Sequence, residues 1–547
     1  MSELLARLES LSPLINDICR VSGTPGVSIG VLHNKQVVYT KGFGFRDVEK
    51  KLSADENTIY YLASLTKAFT AACVGVLVER KKLSWTTPIH KILPSFQHFD
   101  PVIREDANVV DWLSHKTGLA PKNAMWCQEF GHYSMLRKDV IPTTNYLEKI
   151  YDFRTRWLYN NWGYALADEV IQKLSGQSWG SFLKESIFDP LGMHRTITDH
   201  SSKLDNIAEA YMAFGDGTPY HLPRPFPEDG KIMEGAVAVQ SNVRDLLVFY
   251  KEIMRVAEIQ TSHDSSSTSD SPLKELPTLL KAHINLSPEP SPKERSYALG
   301  WVRTELPGSL GVIGLNGGYV NKMPTVGKGL DRSRLCLYHQ GSNNTFLSSV
   351  HLLPDTHSGV VVLTNSMANN DAADWLGELL LETLLDNQDK NDYLELAKSS
   401  AATSKNLWVK MKQDLDEHRT PGTSPKAYNA YCGSFYNYVG NYCLDIFMRD
   451  EVLWMCFQGD FDQAYELEHY HFDVFSWMLT MDEDVRMGRY PMTRPSFYLL
   501  KFKSDDQGEK MDSLVWVNDS AVPDGEEFRR DWKPRSDVNA QNLEGPR

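Results

Sequence analysis

The chain has 547 residues, 41% apolar and 23% charged, with 35 glycines and 27 prolines, which argues against a collagen-like, low-complexity or mostly disordered protein. Lysines and arginines number 57 against 71 aspartates and glutamates, a net charge of −14, so a nucleic acid or an anionic membrane surface is not the expected partner. No apolar run approaches the roughly 18–20 residues of a membrane span.

At about 150 residues per domain, two or three domains are expected. Leu4, Leu5, Leu8, Leu11, Ile15 and Ile18 recur at helical spacing among charged residues, which reads as an amphipathic helix rather than an export signal. Gly26–Leu32 and Lys35–Thr40 read as two strands joined at His33-Asn34. From Ser64 to about Arg80 the sequence turns helical, and Tyr164 to Leu174 is a second helix closed by Gly176. Residues 262–272 are almost all Ser, Thr, Asp and Pro, which reads as a mobile loop. Strands return near Leu335–His339, Phe346–Leu353 and Gly359–Thr364, followed by a helix at about Ala373–Asn387. A Lys-rich helix and linker follow, and from Tyr428 to Phe528 short aromatic runs suggest a small β-barrel. The seven cysteines are scattered without metal-ligand spacing and suit reduced thiols, so a cytoplasmic protein is expected.

The first chemical signal is Ser64-Leu65-Thr66-Lys67. Positions i and i+3 share a helix face, so the Lys67 amine can sit beside the Ser64 hydroxyl. A serine hydroxyl is a weak nucleophile unless a proton acceptor is near, and a lysine among apolar neighbours loses proton affinity and suits that task. The same four residues also suit a helix-capping serine with a solvated lysine. Tyr159-Asn160-Asn161, beside Trp157 and Trp162, likewise reads either as a site motif or as core aromatics.

Further segments follow in order: Leu113-Ser114-His115-Lys116-Thr117-Gly118, Ile187-Phe188-Asp189-Pro190-Leu191-Gly192-Met193, Val239–Leu246, Tyr297-Ala298-Leu299-Gly300-Trp301 and His339-Gln340-Gly341. Together with Ser64–Lys67 and Tyr159–Asn161 they resemble the serine β-lactamase and penicillin-binding-protein-like superfamily over roughly residues 10–385. The similar branch is peptidase family S12, which holds class C β-lactamases, D-aminopeptidases and esterases. The resemblance implies an α/β (α+β) fold with an antiparallel sheet flanked by helices plus a helical subdomain. It makes Ser64 the acylated nucleophile, Lys67 its proton partner and Tyr159 a base whose phenolate the lysine favours. Asn161, His339, Gly341 and Ser342 become substrate-binding, with the amides of Ser64 and Ser342 as oxyanion donors. No metal and no organic cofactor are implied.

Lys116-Thr117-Gly118 precedes the tyrosine motif and reads as a helix end and turn rather than the site's third motif. A histidine at 339 in place of lysine removes a permanent cation, which favours esters or amides lacking a carboxylate to grip. Ser241 and Asp245 read as a helix cap and first turn, and His469, His471 and Asp473 as structural. The C-terminal region resembles, more loosely, a lipocalin-like β-domain. The expected organisation is a serine hydrolase domain over 1–388, helix and linker over 389–426, a β-barrel over 427–531 and a disordered tail over 532–547. The expected substrate is a small-molecule or peptide ester or amide. An acyltransferase or transesterase of small-molecule biosynthesis would use the same residues, and a catalytically silent scaffold is the alternative of another class. Pocket walls are expected from residues 120–150 and 205–235.

Overall fold

The computed structural model describes residues 2–127, 133–199, 204–225, 230–386, 388–504 and 509–532. The expected disordered tail lies outside the described residues from 533 on.

The first half of the fold is organised on a nine-stranded antiparallel sheet. Its strands run, in spatial order, Leu52–Ser53, Gln36–Asp47, Gly26–His33, Ser358–Thr364, Leu347–Leu353, Arg334–Ser342, Val302–Leu306, Arg295–Tyr297 and Ile284–Asn285. The first hairpin turns at Asn34 and Lys35, both at positive φ, as a tight two-residue turn requires. Leu347–Leu353 and Ser358–Thr364 are buried along their whole length, because helices cover both faces. Ala372–Leu384 packs on one side with Ser12–Ser22, and Val243–Ser262 packs on the other. Gly30 permits that second contact: a Cβ there would lie 2.9 Å from Leu247 Cδ1.

Thr66–Glu79 is buried from Thr66 through Leu77, an all-round apolar helix that only an interior position supports. Beside it run Trp162–Ser175, ended by Gly176 in the left-handed region as expected, and Trp179–Leu183. The Val243–Ser262 helix is capped by Asn242, whose side chain accepts from Asp245 N at 2.9 Å. Ser241, one residue earlier than the cap, instead bonds Thr196 Oγ1 at 2.7 Å. The polar stretch after this helix is held rather than loose: Gln260 donates to Leu273 O and accepts from Leu276 N, and Leu273 is fully buried. One apolar side chain and a buried amide anchor a run whose composition is otherwise that of a free loop.

In the segment read as helix and linker, the helix runs over Tyr393–His418. Its Ser400 takes the Trp375 indole N–H at 3.1 Å, while its Trp408 packs on Tyr498 of the C-terminal sheet. It therefore joins the two parts along their lengths. The C-terminal sheet has nine antiparallel strands between Gly433 and Arg530. Its two edge strands, Tyr465–Glu466 and Glu468–His471, are neighbours in sequence, so the sheet curls into a nearly closed barrel. Phe457, Trp477, Phe497 and Trp516 fill its interior with ring centroids 5.3–6.2 Å apart. His469 Nε2 bonds Phe472 O, His471 Nδ1 accepts from Thr420 N and Asp473 accepts from Tyr431 OH, each a local structural contact.

The two parts are riveted at Lys122, a buried ammonium 2.7 Å from both Glu148 of the first part and Glu526 of the second. A cavity of about 410 Å³ lies beside this rivet. Among the described residues no helix is long and apolar enough to cross a membrane.

Candidate active site

Ser64 sits in a single tight turn, Ala63–Leu65, that feeds directly into the Thr66–Glu79 helix. Ala63 is held at φ +47, a conformation costly for a residue with a Cβ and typical of sites where neighbours over-determine the backbone. Ser64 caps nothing. Its Oγ lies 3.0 Å from Lys67 Nζ and accepts from Tyr159 OH at 2.9 Å. Lys67 is fully buried, so the reading of a capping serine with a solvated lysine is excluded.

Lys67 Nζ has two further partners, Asn161 Oδ1 at 2.7 Å and the Ala236 carbonyl at 3.1 Å. Burial pushes its pKa well below the usual lysine range, because among the described residues no carboxylate stands beside the amine to offset the lost hydration. All three partners are oxygens, Ser64 Oγ, Asn161 Oδ1 and the Ala236 carbonyl; a neutral amine would keep two N–H bonds and accept the third from the serine hydroxyl.

Asn161 reaches Lys67 because its neighbour does the local work. It stands at the N-cap position of Trp162–Ser175, yet Asn160 Oδ1 takes the Trp162 N–H at 2.9 Å. The Asn161 amide is thereby left to hold Lys67, and its Nδ2 donates to Asn123 Oδ1 at 3.1 Å. Tyr159 is both a core aromatic and a site residue. Its ring packs on His115 at 4.4 Å and on Trp157 and His339 at 6.2 Å, while its hydroxyl points at Ser64. Burial pushes the phenol above its ordinary pKa, only partly offset by the bond to Ser64. The expected phenolate is therefore not the resting form. Lys67 Nζ stands 5.1 Å from the Tyr159 ring centroid, and burial disfavours the charged form of both groups.

Gly341 comes against Ser64: a Cβ there would lie 2.3 Å from Leu62 O and 3.1 Å from Ser64 N. Only glycine lets the strand approach so closely. His339, by contrast, does not reach the cavity. It is buried behind Tyr159, where Nε2 accepts from Tyr297 OH at 3.0 Å and Nδ1 donates to the Gln340 carbonyl at 2.5 Å. Burial, reinforced by the field of Lys67, lowers its pKa to about 3, so it is a neutral support for the tyrosine. The structure thus brings Ser64, Lys67, Tyr159, Asn161, Gly341 and Ser342 to one place and sets His339 one layer behind.

The cavity at Ser64 measures about 200 Å³. Trp126, Trp157, Val312 and Ile313 give it apolar walls, and Asn123, Asn343, Asn344 and Ser342 line it with uncharged polar groups. Of the two expected wall segments, 120–150 contributes Asn123, Trp126 and Cys127, whereas no described residue of 205–235 lines the cavity. The last wall is Tyr490, from the connection between two strands of the C-terminal sheet. Lys116-Thr117-Gly118 stays outside: Lys116 pairs with Asp111 at 3.5 Å, and the Gly118 carbonyl accepts from Ile150 and Tyr151. The residue of that segment that matters is His115, whose Nδ1 accepts from Asn160 N at 3.1 Å beneath Tyr159. His115 lies in the Leu113–Gly118 segment, Asn160 in Tyr159–Asn161 and Asn123 in no motif; sequence alone assigns none of the three a role, and proximity in the fold reveals it.

Comparison with known proteins places the chain in a family and a fold. The beta-lactamase family profile matches residues 15–384, and the chain belongs to that family. A domain of unknown function, DUF3471, matches residues 417–530. Among curated relatives, the unguisins hydrolase of Aspergillus violaceofuscus is 27% identical, over 76% of this chain and 72% of its own length. Penicillin-binding protein 4* of Bacillus subtilis is 24% identical, over 55% of this chain and 65% of its own length. Among solved structures, the octameric penicillin-binding protein homologue from Pyrococcus abyssi shares the fold, with a TM-score of 0.55 at 21% identity, over 95% of this chain and all of that one.

Proposed function

We propose that the protein is a serine hydrolase that cleaves a neutral ester or amide through an acyl-enzyme on Ser64. The observation that carries this reading is the Lys67 amine, buried with no carboxylate partner among the described residues and 3.0 Å from the serine hydroxyl. As Ser64 Oγ attacks the carbonyl, its proton passes to Lys67 Nζ, and the resulting ammonium is held by Asn161 Oδ1 and the Ala236 carbonyl. Tyr159 gives its proton to the departing oxygen or nitrogen. The phenolate so formed is paired with the new ammonium, which is the stage at which that opposite charge lowers the cost of ionising a buried phenol. In deacylation the phenolate takes a proton from the incoming water or alcohol, and Lys67 returns its proton to Ser64 as the ester breaks. Each group ends as it began.

The substrate class follows from the lining. No described residue lining the cavity carries a charge, so a carboxylate or ammonium beside the scissile bond would be desolvated without a partner. Uncharged esters, lactones and internal or blocked amides suit it. The same chemistry delivers the acyl group to an alcohol or amine where one outcompetes water, and product analysis with added acceptor separates transfer from hydrolysis. The test of the core reading is intact mass after exposure to a fluorophosphonate and to an activated short-chain ester, in wild type and Ser64→Ala. One adduct, absent in the variant, is expected. Folded wild type that takes no adduct from either reagent overturns the reading.

A further inference from the structure

The C-terminal sheet does more than pack against the catalytic part. Between its strands Val474–Ser476 and Leu499–Ser504 the chain leaves the barrel and crosses to the Ser64 cavity. The excursion is anchored at both ends. At its root, Arg489 and Asp484 form a fully buried ion pair at 3.0 Å, with the guanidinium 4.4 Å from the Trp477 ring. Its short helix, Met481–Arg486, is closed by a reciprocal bond pair between Thr480 and Glu483, and Asp482 accepts from Gly215 N at 2.9 Å across the domain boundary.

At its tip, Asn344 Nδ2 donates to Gly488 O at 2.8 Å and to Cys127 O at 3.3 Å, and Tyr490 N donates to the same Cys127 carbonyl at 3.3 Å. The tip residue Tyr490 then stands in the cavity wall with its hydroxyl 3.1 Å from Ser342 Oγ.

Resting on the function proposed above, we infer that Tyr490 is a specificity-determining residue of this enzyme: it closes the Ser64 pocket and limits the length of the acyl group that fits. The hydroxyl bonds Ser342 rather than the nucleophile, so the ring acts on the shape of the pocket and not on proton transfer. An aromatic wall bonded to a strand of the catalytic sheet on one side and tied through Gly488 and Arg489 on the other yields little to an oversized ligand. In an apolar pocket one methylene accepted or refused is worth roughly 10–200-fold in kcat/KM. The β-domain thereby sets substrate choice for a site whose nucleophile, base and tyrosine all lie in the other part of the chain.

The test uses the full chain and a series of p-nitrophenyl esters from acetyl to decanoyl, with fluorophosphonate labelling of Ser64 to count working sites. In Tyr490→Ala, kcat/KM for long esters relative to acetate is expected to rise at least about tenfold. In Tyr490→Phe, which keeps the ring and loses only the Ser342 bond, the chain-length profile is expected to stay within about twofold of wild type. If the alanine variant fails to fold, Tyr490→Leu carries the same expectation. A labelled, folded Ala or Leu variant with the wild-type profile overturns the inference and leaves the serine hydrolase reading intact. Wild type that neither labels nor turns over any ester overturns both.

Discussion

Replacing Tyr159 by phenylalanine removes one hydroxyl while its ring contacts with His115, Trp157 and His339 remain. The lost bond, Tyr159 OH to Ser64 Oγ at 2.9 Å, is a single hydrogen bond whose acceptor keeps Lys67 as a partner. Its net contribution to stability is about 1 kcal/mol, which in a chain this large moves Tm by no more than about 4 °C. Catalysis should respond far more strongly. A positioned acid–base group contributes on the order of 10²–10⁴ in rate, or about 3–5 kcal/mol of barrier. The penalty should also depend on the leaving group. A nitrophenolate departs without a proton, whereas an alkoxide or an amide nitrogen needs the one Tyr159 supplies. Stopped-flow acylation with a nitrophenyl ester, an alkyl ester and an anilide of one acid, each beside a thermal melt, measures this. The variant should lose least on the nitrophenyl ester and most on the anilide. An equal loss on all three, or a Tm shift with unchanged rates, would refute the assignment of Tyr159 as the leaving-group acid.

The acylation rate constant should rise with pH across the depressed pKa of Lys67 and then stay level into the alkaline range. Lys67 must be unprotonated to accept the serine proton and Tyr159 protonated to give one up, and burial moves the first below 10.5 and the second above 10. A pre-steady-state pH profile that falls across this range would mean that the working lysine is the ammonium. A separate expectation concerns His351, a buried ring with no hydrogen-bond partner on either nitrogen and a pKa lowered from 6.5 to about 3 by burial. Because its folded pKa is depressed, its contribution favours the fold fully above pH 6.5 and is lost as the pH falls toward 3. His351→Leu should therefore be close to neutral in stability at pH 7 and gain about 2 kcal/mol over wild type at pH 5. Denaturant titrations showing the same difference at both pH values would rule out this linkage.

Ser64 and Lys67 were legible in the sequence because their relation is local: three residues apart on one helix, they meet wherever that helix forms. Their burial was not: the same residues also suit a capping serine with a solvated lysine, and packing decided it. The central strands stood out because their apolar residues cluster in short β-branched and leucine-rich runs, and the barrel strands because short aromatic runs alternate with turns. Other features depended on parts of the chain far apart in number. That the Lys67 pKa is depressed follows from burial with no carboxylate among the described residues beside it, which its own neighbours in sequence do not specify. His339 reads in sequence as a pocket residue, yet strand register turns its ring behind Tyr159 onto Tyr297. His115 and Asn160 lie in segments that assign them no role in sequence, and act only because two loops stack beneath one tyrosine. Tyr490 is the extreme case, since it lies in the C-terminal β-part and forms a wall of a pocket centred on residue 64. Sequence records what periodicity and local chemistry impose over a few residues. Contacts across hundreds of residues are chosen by packing, and those contacts decide protonation, wall and access at this site.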